Sequence, residues 1–417
     1  MRDRPMTAPA APRRAALAFI FITVVLDMLA LGMIVPVLPN LVVSFEGGDT
    51  ARAAQVFGVF GTAWALMQFV FSPVLGALSD RFGRRPVILL SNLGLGLDYV
   101  LMALAPSLGW LFVGRVISGI TAASFSTAGA YIADITPEEK RAGAFGLLGA
   151  AFGVGFVLGP AIGGVLGSIG PRLPFWVAAG FSLANACYGF FILPESLPRE
   201  RRAPFAWRRA SPIGSLNLLR SHPQVFGLAA ANFLGYIAHE VLPSTFVLYA
   251  GYRYAWDQRT VGLYLAGVGL GGMIVSGGLV QPIVNRFGER RTLLTGLACG
   301  AAAFTLYGLA TSSGWMWLGL PLQALWGLAN PSAQGLMTRR VAPTQQGQLQ
   351  GASSSLRGIA GLIGPGLFTL TFARAIGPDR AAHIPGAPML LAAALVAAAA
   401  CVAWRVTSEK GVRGWGG

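Results

Sequence analysis

Ionisable side chains inside long apolar stretches are the residues of this sequence that could carry chemistry. A charged group in such a stretch is costly unless it is paired or hydrated, so each one is a functional candidate. Five of them stand out, and a histidine adjoins the fourth. They are Asp27, Asp98, Arg115, Glu240 and Arg357, with His239 beside Glu240.

Asp27 and Arg115 are the strongest candidates for coupling transport to protons. Asp27 lies about midway along its apolar stretch, where ionisation of its carboxyl group is costly. Protonation of this group can therefore be coupled to a step of transport. Arg115 stays charged, so it cannot release a proton, but it could control the charge of a nearby acid in one conformation only. Asp27 is the candidate partner. The alternatives are a structural hydrogen bond for Asp27 and a fixed ion pair for Arg115.

Glu240 and His239 are adjacent, and Pro243 follows them. Adjacent residues of a helix point to different sides, and both of these can titrate. We expect Glu240 to bind a proton or a cationic part of a substrate. The alternative is a polar group that water satisfies near a helix break at Pro243. For Arg357 we favour a long side chain that reaches the aqueous end of its helix.

Composition places these groups in a membrane. Only 11% of the 417 residues are charged and 54% are apolar, whereas soluble domains are about a quarter charged. This excludes a soluble enzyme, a disordered chain and a fibrous protein. The net charge of +15 could indicate nucleic-acid binding, but the basic residues form short clusters between apolar stretches. That pattern is typical of a polytopic membrane protein, so we expect a lipid bilayer and no nucleic acid as partner.

Several kinds of chemistry lack the residues that they need. The three cysteines, Cys187, Cys299 and Cys401, form no spaced pair, so we expect neither a disulfide framework nor a metal site. The sequence has no GxSxG, HExxH or P-loop motif. We therefore expect no enzyme, no cofactor and no ATP-driven pump, and an ion gradient must supply the energy.

Twelve stretches are long and apolar enough to cross a bilayer as helices, which takes roughly 20 residues each. Loops on one side of them hold 23 basic residues and loops on the other side hold 6, which predicts that both termini are cytoplasmic. We number the stretches as spans one to twelve. They cover residues 15–38, 53–76, 86–105, 109–133, 142–166, 172–193, 223–249, 260–282, 292–311, 314–337, 347–373 and 385–405.

The two halves of the chain are repeats of each other. Arg81-Phe82-Gly83 after span two recurs as Arg286-Phe287-Gly288 after span eight, 205 residues later. Gly159-Pro160 recurs as Gly364-Pro365 at the same offset. We therefore predict an all-α membrane protein with two pseudo-symmetric six-helix bundles around a central cavity. The bundles are 15–193 and 223–405, joined by a cytoplasmic linker 194–222 and flanked by cytoplasmic tails 1–14 and 406–417.

Three motifs carry a resemblance to a known family. The segment from Gly76 to Pro86, GALSDRFGRRP, resembles the loop 2–3 signature of the major facilitator superfamily. Gly114-Arg115 begins a segment that resembles the span-four arginine motif. The span-five glycines resemble the antiporter motif of drug:proton antiporters, and the whole chain is most similar to the tetracycline-resistance efflux group. The motif residues in span five include Gly155, Gly159, Pro160, Gly163 and Gly164.

The resemblance implies proton-driven export of a small amphipathic drug by a monomer in the bacterial inner membrane. It also implies a conformational latch of the outward-facing state at the loop motif, which includes Gly76 and Gly83. In this latch Asp80 would meet the start of span eleven near Gly351, and Arg84 would pair with Asp134. The alternative is a solvated turn. In the similar proteins an acid at the position of Asp98 handles substrate, so we assign Asp98 to both coupling and substrate binding.

Polar and aromatic residues of the spans are candidates for the cavity lining, although hydrogen bonding between helices is an equally good interpretation for most of them. The candidate substrate-binding residues are Gln68, Asp98, Tyr99, His239, Asn330 and Gln334. We also expect Asn330-Pro331 to mark a break in span ten.

The chain departs from the family pattern in span nine. The similar exporters carry an acid there, whereas this chain reads Leu297-Ala298-Cys299-Gly300-Ala301. This difference argues against exchange of a metal–tetracycline chelate. Two alternatives to tetracycline export therefore stay open, a multidrug exporter that does not accept tetracycline and a proton-coupled transporter of a metabolite.

Overall fold

The computed structural model describes residues 10–121, 124–137, 140–203, 216, 218–219, 223–342, 345–378 and 383–408. These residues are helices and turns, and no strand occurs among them. Ten described helices are long and apolar enough to cross a membrane, and Leu108–Thr121 is a shorter apolar helix. The predicted all-α architecture is confirmed, because each of the twelve spans corresponds to one helix or to two or three consecutive helical segments.

The first six spans have the following bounds. Span one comprises Ala10–Ile34 and Leu38–Phe45, span two Thr50–Phe82, span three Arg84–Leu104, span four Leu108–Thr121 and Ser124–Ile135, span five Arg141–Ile169, and span six Leu173–Ile192. A short 3-10 helix, Arg199–Arg201, lies in the linker.

The last six spans contain more interruptions. Span seven comprises Pro223–His239 and Val241–Tyr254, and span eight comprises Gln258–Ile274, a π-helical turn Val275–Leu279 and Val280–Phe287. Span nine is Glu289–Leu309, span ten comprises Ser313–Leu325, a 3-10 turn Trp326–Leu328 and Ala329–Thr338, span eleven is Gln346–Ile376, and span twelve is Ala387–Thr407.

Prolines account for the breaks in spans seven and ten. Pro243 has no N–H to donate to the carbonyl of His239, and the helix is interrupted at Glu240. Pro331 in the same way cannot bond to Gly327, and the 3-10 turn lies there. Both expected breaks are present, one turn before each proline.

The repeat seen in the sequence is also a repeat of local geometry. Gly83 and Gly288 end spans two and eight with φ of 106° and 78°, a conformation that favours glycine. At their other ends these two spans begin with aspartate caps. Asp49 accepts a hydrogen bond from the Arg52 N–H at 3.0 Å, and Asp257 accepts one from Thr260 at 2.8 Å.

The two halves meet mainly along two pairs of spans, two with eleven and five with eight. A Cβ at Gly61 would lie 2.8 Å from Pro365 Cβ, and one at Gly164 would lie 3.0 Å from Gly262 Cα. These short separations require glycine, as is common where membrane helices pack closely.

The halves are in contact at one end and apart at the other. We call the end with Gly83, Gly288 and the start of the linker the linker end. Near the opposite end a Cβ at Gly58 would collide with Thr369. Towards the linker end, Cβ atoms added at Gly76, Gly146 or Gly149 would meet nothing within 4 Å. The interface between the halves is therefore closed at the end opposite the linker and open at the linker end.

Candidate functional site

Asp27 is buried and bonded to span six. Its Oδ1 accepts a hydrogen bond from Asn185 Nδ2 at 3.2 Å, and Thr23 Oγ1 donates to Asn185 Oδ1 at 3.1 Å. The structural hydrogen bond that the sequence left open as an alternative is thus present. Asn185 was missed by the sequence analysis, although an asparagine within the apolar span six was a usable signal.

Asp27 and Arg115 are not paired in this conformation, and their pairing in another conformation stays a prediction. The Arg115 guanidinium carbon lies 5.4 Å from the centre of the Trp64 ring, facing span two. Asp98 is the carboxylate that interacts electrostatically with Arg115. It packs against span four, since a Cβ at Gly114 would lie 2.9 Å from Asp98 Oδ1. Span three therefore supplies the acid for Arg115, and span one does not.

Arg115 and Asp98 are near each other without forming a closed ion pair. Among the described residues, Arg115 makes no ion pair within 4 Å. Both oxygens of the buried Asp98 carboxylate have no hydrogen-bond partner there. A buried carboxylate of this kind retains its capacity to accept hydrogen bonds or to hold a proton.

Other buried polar atoms of the N-terminal half share this property. Such atoms are usually paired, so a group of them marks a place where polar ligands or protons can be accommodated. Those without a hydrogen-bond partner within the described chain include Trp64 Nε1, both side-chain atoms of Asn92, Ser118 Oγ, Thr127 Oγ1 and Ser182 Oγ.

Side chains from spans seven, ten and eleven meet in the C-terminal half. The Tyr236 hydroxyl donates to Asn330 Oδ1 at 3.1 Å, and the Arg357 guanidinium carbon lies 5.0 Å from the centre of the Tyr236 ring. The rings of His239 and Trp326 are 5.9 Å apart. Arg357 thus lies over an aromatic ring of span seven, instead of reaching the aqueous end as expected.

Glu240 contacts span eleven two turns away from Arg357. Its Cβ and Cγ pack against Gly364 of span eleven, where any side chain would collide with them. His239, its neighbour, is exposed. The two adjacent residues therefore face different surroundings, as the helical geometry predicted. Within the described chain the Glu240 carboxylate has no ion-pair partner.

The remaining candidates for substrate contact differ in accessibility. Asn330 is exposed, and Gln68 and Gln334 are partly buried. Tyr99 is only 1% exposed and belongs to the core of the N-terminal half. Tyr99 therefore cannot contact a substrate in this conformation, because the packing of spans three and six covers it.

Arg84 is the centre of a polar cluster at the linker end. It is 9% exposed, its Nε lies 3.2 Å from Asp134 Oδ2, and its Nη1 lies 2.6 Å from Asp80 Oδ1. The expected pairing of Arg84 with Asp134 is present. Glu195 of the linker accepts a hydrogen bond from the Arg84 backbone N–H at 2.8 Å, a contribution that the sequence analysis missed.

The expected contact of Asp80 with span eleven is absent here. Asp80 pairs with Arg84 of its own motif, its side chain is 50% exposed, and within the described residues it makes no hydrogen bond to the start of span eleven. The physical reason is the separation of the halves at this end. A Cβ at Gly76 or at Gly347 would meet nothing within 4 Å.

The span-five motif contacts both halves. A Cβ at Gly159 would lie 2.8 Å from Gly32 Cα, so this face packs tightly on span one, which carries Asp27. Gly155 and Gly163 lie on the same face, against Met28 and Met33. Gly164 and Pro160 instead pack against Gly262 of span eight. One helix therefore links the Asp27 region to the opposite half.

Comparisons with known proteins agree with this architecture. The sequence profile of the Major Facilitator Superfamily matches residues 20–365. The class C tetracycline resistance protein of Escherichia coli is 39% identical over 361 residues, which cover 86% of this chain and 90% of that protein. The class G protein of Vibrio anguillarum is 38% identical over 371 residues, covering 87% and 92%.

Solved structures extend the similarity to the fold. The human organic anion transporter MFSD10 (TETRAN) superposes with a TM-score of 0.69 at 24% identity, covering 95% of this chain and all (100%) of that one. A bacterial homolog of the human lysosomal transporter Spinster, inward-facing and unoccupied, gives a TM-score of 0.74 at 18% identity, covering 96% and 98%. The chain belongs to the Major Facilitator Superfamily, and it is a transporter and not an enzyme.

Proposed function

We propose that this member of the Major Facilitator Superfamily exports tetracycline or a related amphipathic drug in exchange for protons, by alternating access. One observation carries the proposal furthest. Buried acids lie in a polar interior, and the two halves around it are in contact at one end only. The similarity to tetracycline resistance proteins over 86% of the chain supports the substrate class.

The orientation of the protein in the membrane follows from the distribution of charge. The loops of the linker end hold most of the basic residues, so this end is cytoplasmic and the protein lies in the bacterial inner membrane. The open end then faces the cytoplasm, and the described conformation is inward-facing. A drug from the cytoplasm can enter between the halves, and closure of this end commits it to release outside.

Protons are bound by the intramembrane acids. Asp27, Asp98 and Glu240 are the carboxyl groups inside spans, and Asp98 packs against Gly114, which precedes Arg115 on span four. These acids release protons to the cytoplasm in the inward-facing state, where the drug binds, and reprotonation from outside resets the carrier. The proton is the coupling ion in this scheme, no cofactor takes part, and a monomer suffices.

The linker-end cluster controls the change of state. In the inward-facing conformation Asp80 is held by Arg84 and is half exposed. Closure would bring it to the start of span eleven near Gly351, where the helix dipole favours a carboxylate. The separation of the halves in this conformation is the reason that the contact is absent now.

Drug uptake into inverted membrane vesicles tests the function. Tetracycline should accumulate in energised vesicles, and an uncoupler or Asp27→Asn should abolish accumulation. Proton release induced by other amphipathic drugs, without tetracycline accumulation, would favour the multidrug exporter. No response to any drug would reject drug export and favour a metabolite transporter. The multidrug exporter and the metabolite transporter are included as alternatives because span nine lacks an acid.

A further inference from the structure

The C-terminal half contains a cluster of aromatic and polar side chains on three spans, with Arg357 as its cationic member. We propose that this aromatic–cationic site, formed by Tyr236, His239, Trp326, Asn330 and Arg357, binds the anionic group of a planar aromatic substrate. The inference rests on the function proposed above. It adds the charge that the substrate carries and the side of the cavity that receives it.

The site is built across spans seven, ten and eleven. Tyr236 is the connecting residue, since its hydroxyl donates to Asn330 at 3.1 Å while Arg357 lies 5.0 Å from its ring centre. His239 is one turn further along span seven, with its ring 5.9 Å from that of Trp326. Trp326 lies one turn before Asn330 on span ten, so the two contacts form one group.

The polar ends of this group are accessible from the space between the halves. His239, Asn330 and Arg357 are exposed, although each lies well inside its span. Arg357 is next to the interface of the halves, because a Cβ on the following Gly358 would lie 2.5 Å from Phe69 of span two. A substrate that enters at the open end can therefore reach the guanidinium.

No acid neutralises the site from its own half. Between residues 223 and 407, Glu240 is the only acid inside a span predicted from the sequence, and Asp257, Glu289 and Asp379 fall outside those spans. The Glu240 side chain packs against Gly364, and within the described chain Arg357 has no ion-pair partner. The site therefore has a net positive field, which disfavours a cationic ligand.

The geometry of the group suits an anion on an aromatic ring. A guanidinium binds a carboxylate or enolate through paired, charge-assisted hydrogen bonds. Trp326 and Tyr236 offer ring faces and edges against which a planar ligand can stack. The ligand class that satisfies both requirements is a planar aromatic acid or enolate. The ligand binds in its metal-free form, since a bound divalent cation would make its charge positive.

Three probes with one ring system and different charges test this assignment. Purified full-length protein in lipid nanodiscs is titrated with 2-anthroate, its neutral amide and anthracen-2-ylmethylammonium, and probe anisotropy is measured against empty nanodiscs. The anionic probe should bind most tightly. Arg357→Gln should weaken its binding about tenfold or more and leave the neutral amide unchanged. Arg357→Lys should restore part of the preference for the anion.

Arg286→Gln, which removes an exposed charge at the linker end, is the matched control and should change nothing. Trp326→Leu should weaken all three probes together. Equal binding of the three probes, tighter binding of the cation, or an unchanged preference for the anion in a folded Arg357→Gln protein would overturn the inference. Failure of this inference can be distinguished from failure of the proposed function, because tetracycline uptake into wild-type vesicles is measured independently of probe binding.

Discussion

The side-chain amide of Asn185 donates a hydrogen bond to the carboxylate of Asp27 and thereby joins span six to span one. Thr23 holds the same amide from its oxygen side. The orientation of the amide is therefore fixed, and its N–H points at the acid. Any change in the charge of Asp27 must act on this contact.

Asn185→Leu should slow drug-dependent proton exchange about tenfold or more, because a hydrogen bond to a carboxylate contributes about 1.5–3 kcal/mol. Initial rates in vesicles, measured across a range of pH, check this. Ser182→Ala is the matched control, since the Ser182 hydroxyl is buried on the same span without a partner among the described residues. Wild-type rates in Asn185→Leu would contradict the role of the contact.

Arg84→Gln should destabilise the protein by about 1–3 kcal/mol, because it leaves two carboxylates without their cation. Thermal unfolding in detergent measures the loss. Arg81→Gln should have little effect, because Arg81 is exposed and lies only over the ring of its neighbour Phe82. Equal stability of the two variants would show that the linker-end cluster contributes nothing.

Gly159→Ala should lower the yield of folded protein and cost about 1–3 kcal/mol through overpacking. The added Cβ would lie 2.8 Å from the backbone of Gly32, and backbone atoms cannot move aside cheaply. Gly180→Ala places its Cβ where nothing lies within 4 Å and serves as the control. Size-exclusion profiles of the two variants provide the measurement.

A disulfide between Gly58→Cys and Thr369→Cys should form spontaneously and stop transport until it is reduced. A Cβ at Gly58 would lie 3.2 Å from Thr369 Cβ, close to the spacing of a disulfide. The three native cysteines are first replaced by serine. Cleavage at a protease site introduced into the linker then shows whether the halves remain joined. Gly76→Cys with Thr369→Cys is the control pair, and cross-linking of that pair instead would contradict the described conformation.

Asp257 should make stability depend on acid pH. Hydrogen bonds from Thr260 hold the pKa of this capping carboxylate below its usual range. Its contribution, about 1 kcal/mol for a cap, is present above the unfolded pKa and is lost as the pH falls through the folded pKa. Thermal melts of wild type and Asp257→Asn below about pH 4 check this. The variant should keep the cap and lose this part of the pH dependence, and identical pH dependence would refute it.

The span pattern and the repeat could be predicted from the sequence, because both depend on local composition. The length of an apolar stretch predicts a membrane-spanning helix, and a proline predicts an interruption of that helix within four residues. Glycine at 83 and 288 permits the positive φ of the turns. The pairing of Arg84 with Asp134 followed from the motif resemblance, since these residues belong to one half and do not separate.

Pairings across spans were harder to predict. Asp27 was matched to Arg115 on charge alone, yet it bonds to a neutral amide 158 residues away. The direction in which Arg115 leaves its helix depends on packing against Trp64, and no local pattern encodes that. The Asp80 contact depends on the conformational state, and one sequence specifies both states.

Purified protein in liposomes provides the most direct test of proton-coupled drug export. A pH gradient, acid inside, is imposed without any other energy source, and tetracycline inside the liposomes is measured against protein-free liposomes. Proton-coupled export predicts accumulation above that passive background, abolished by Asp27→Asn and by collapse of the gradient. Uptake at the same rate with and without the gradient, or at the wild-type rate in the Asp27→Asn variant, would contradict it.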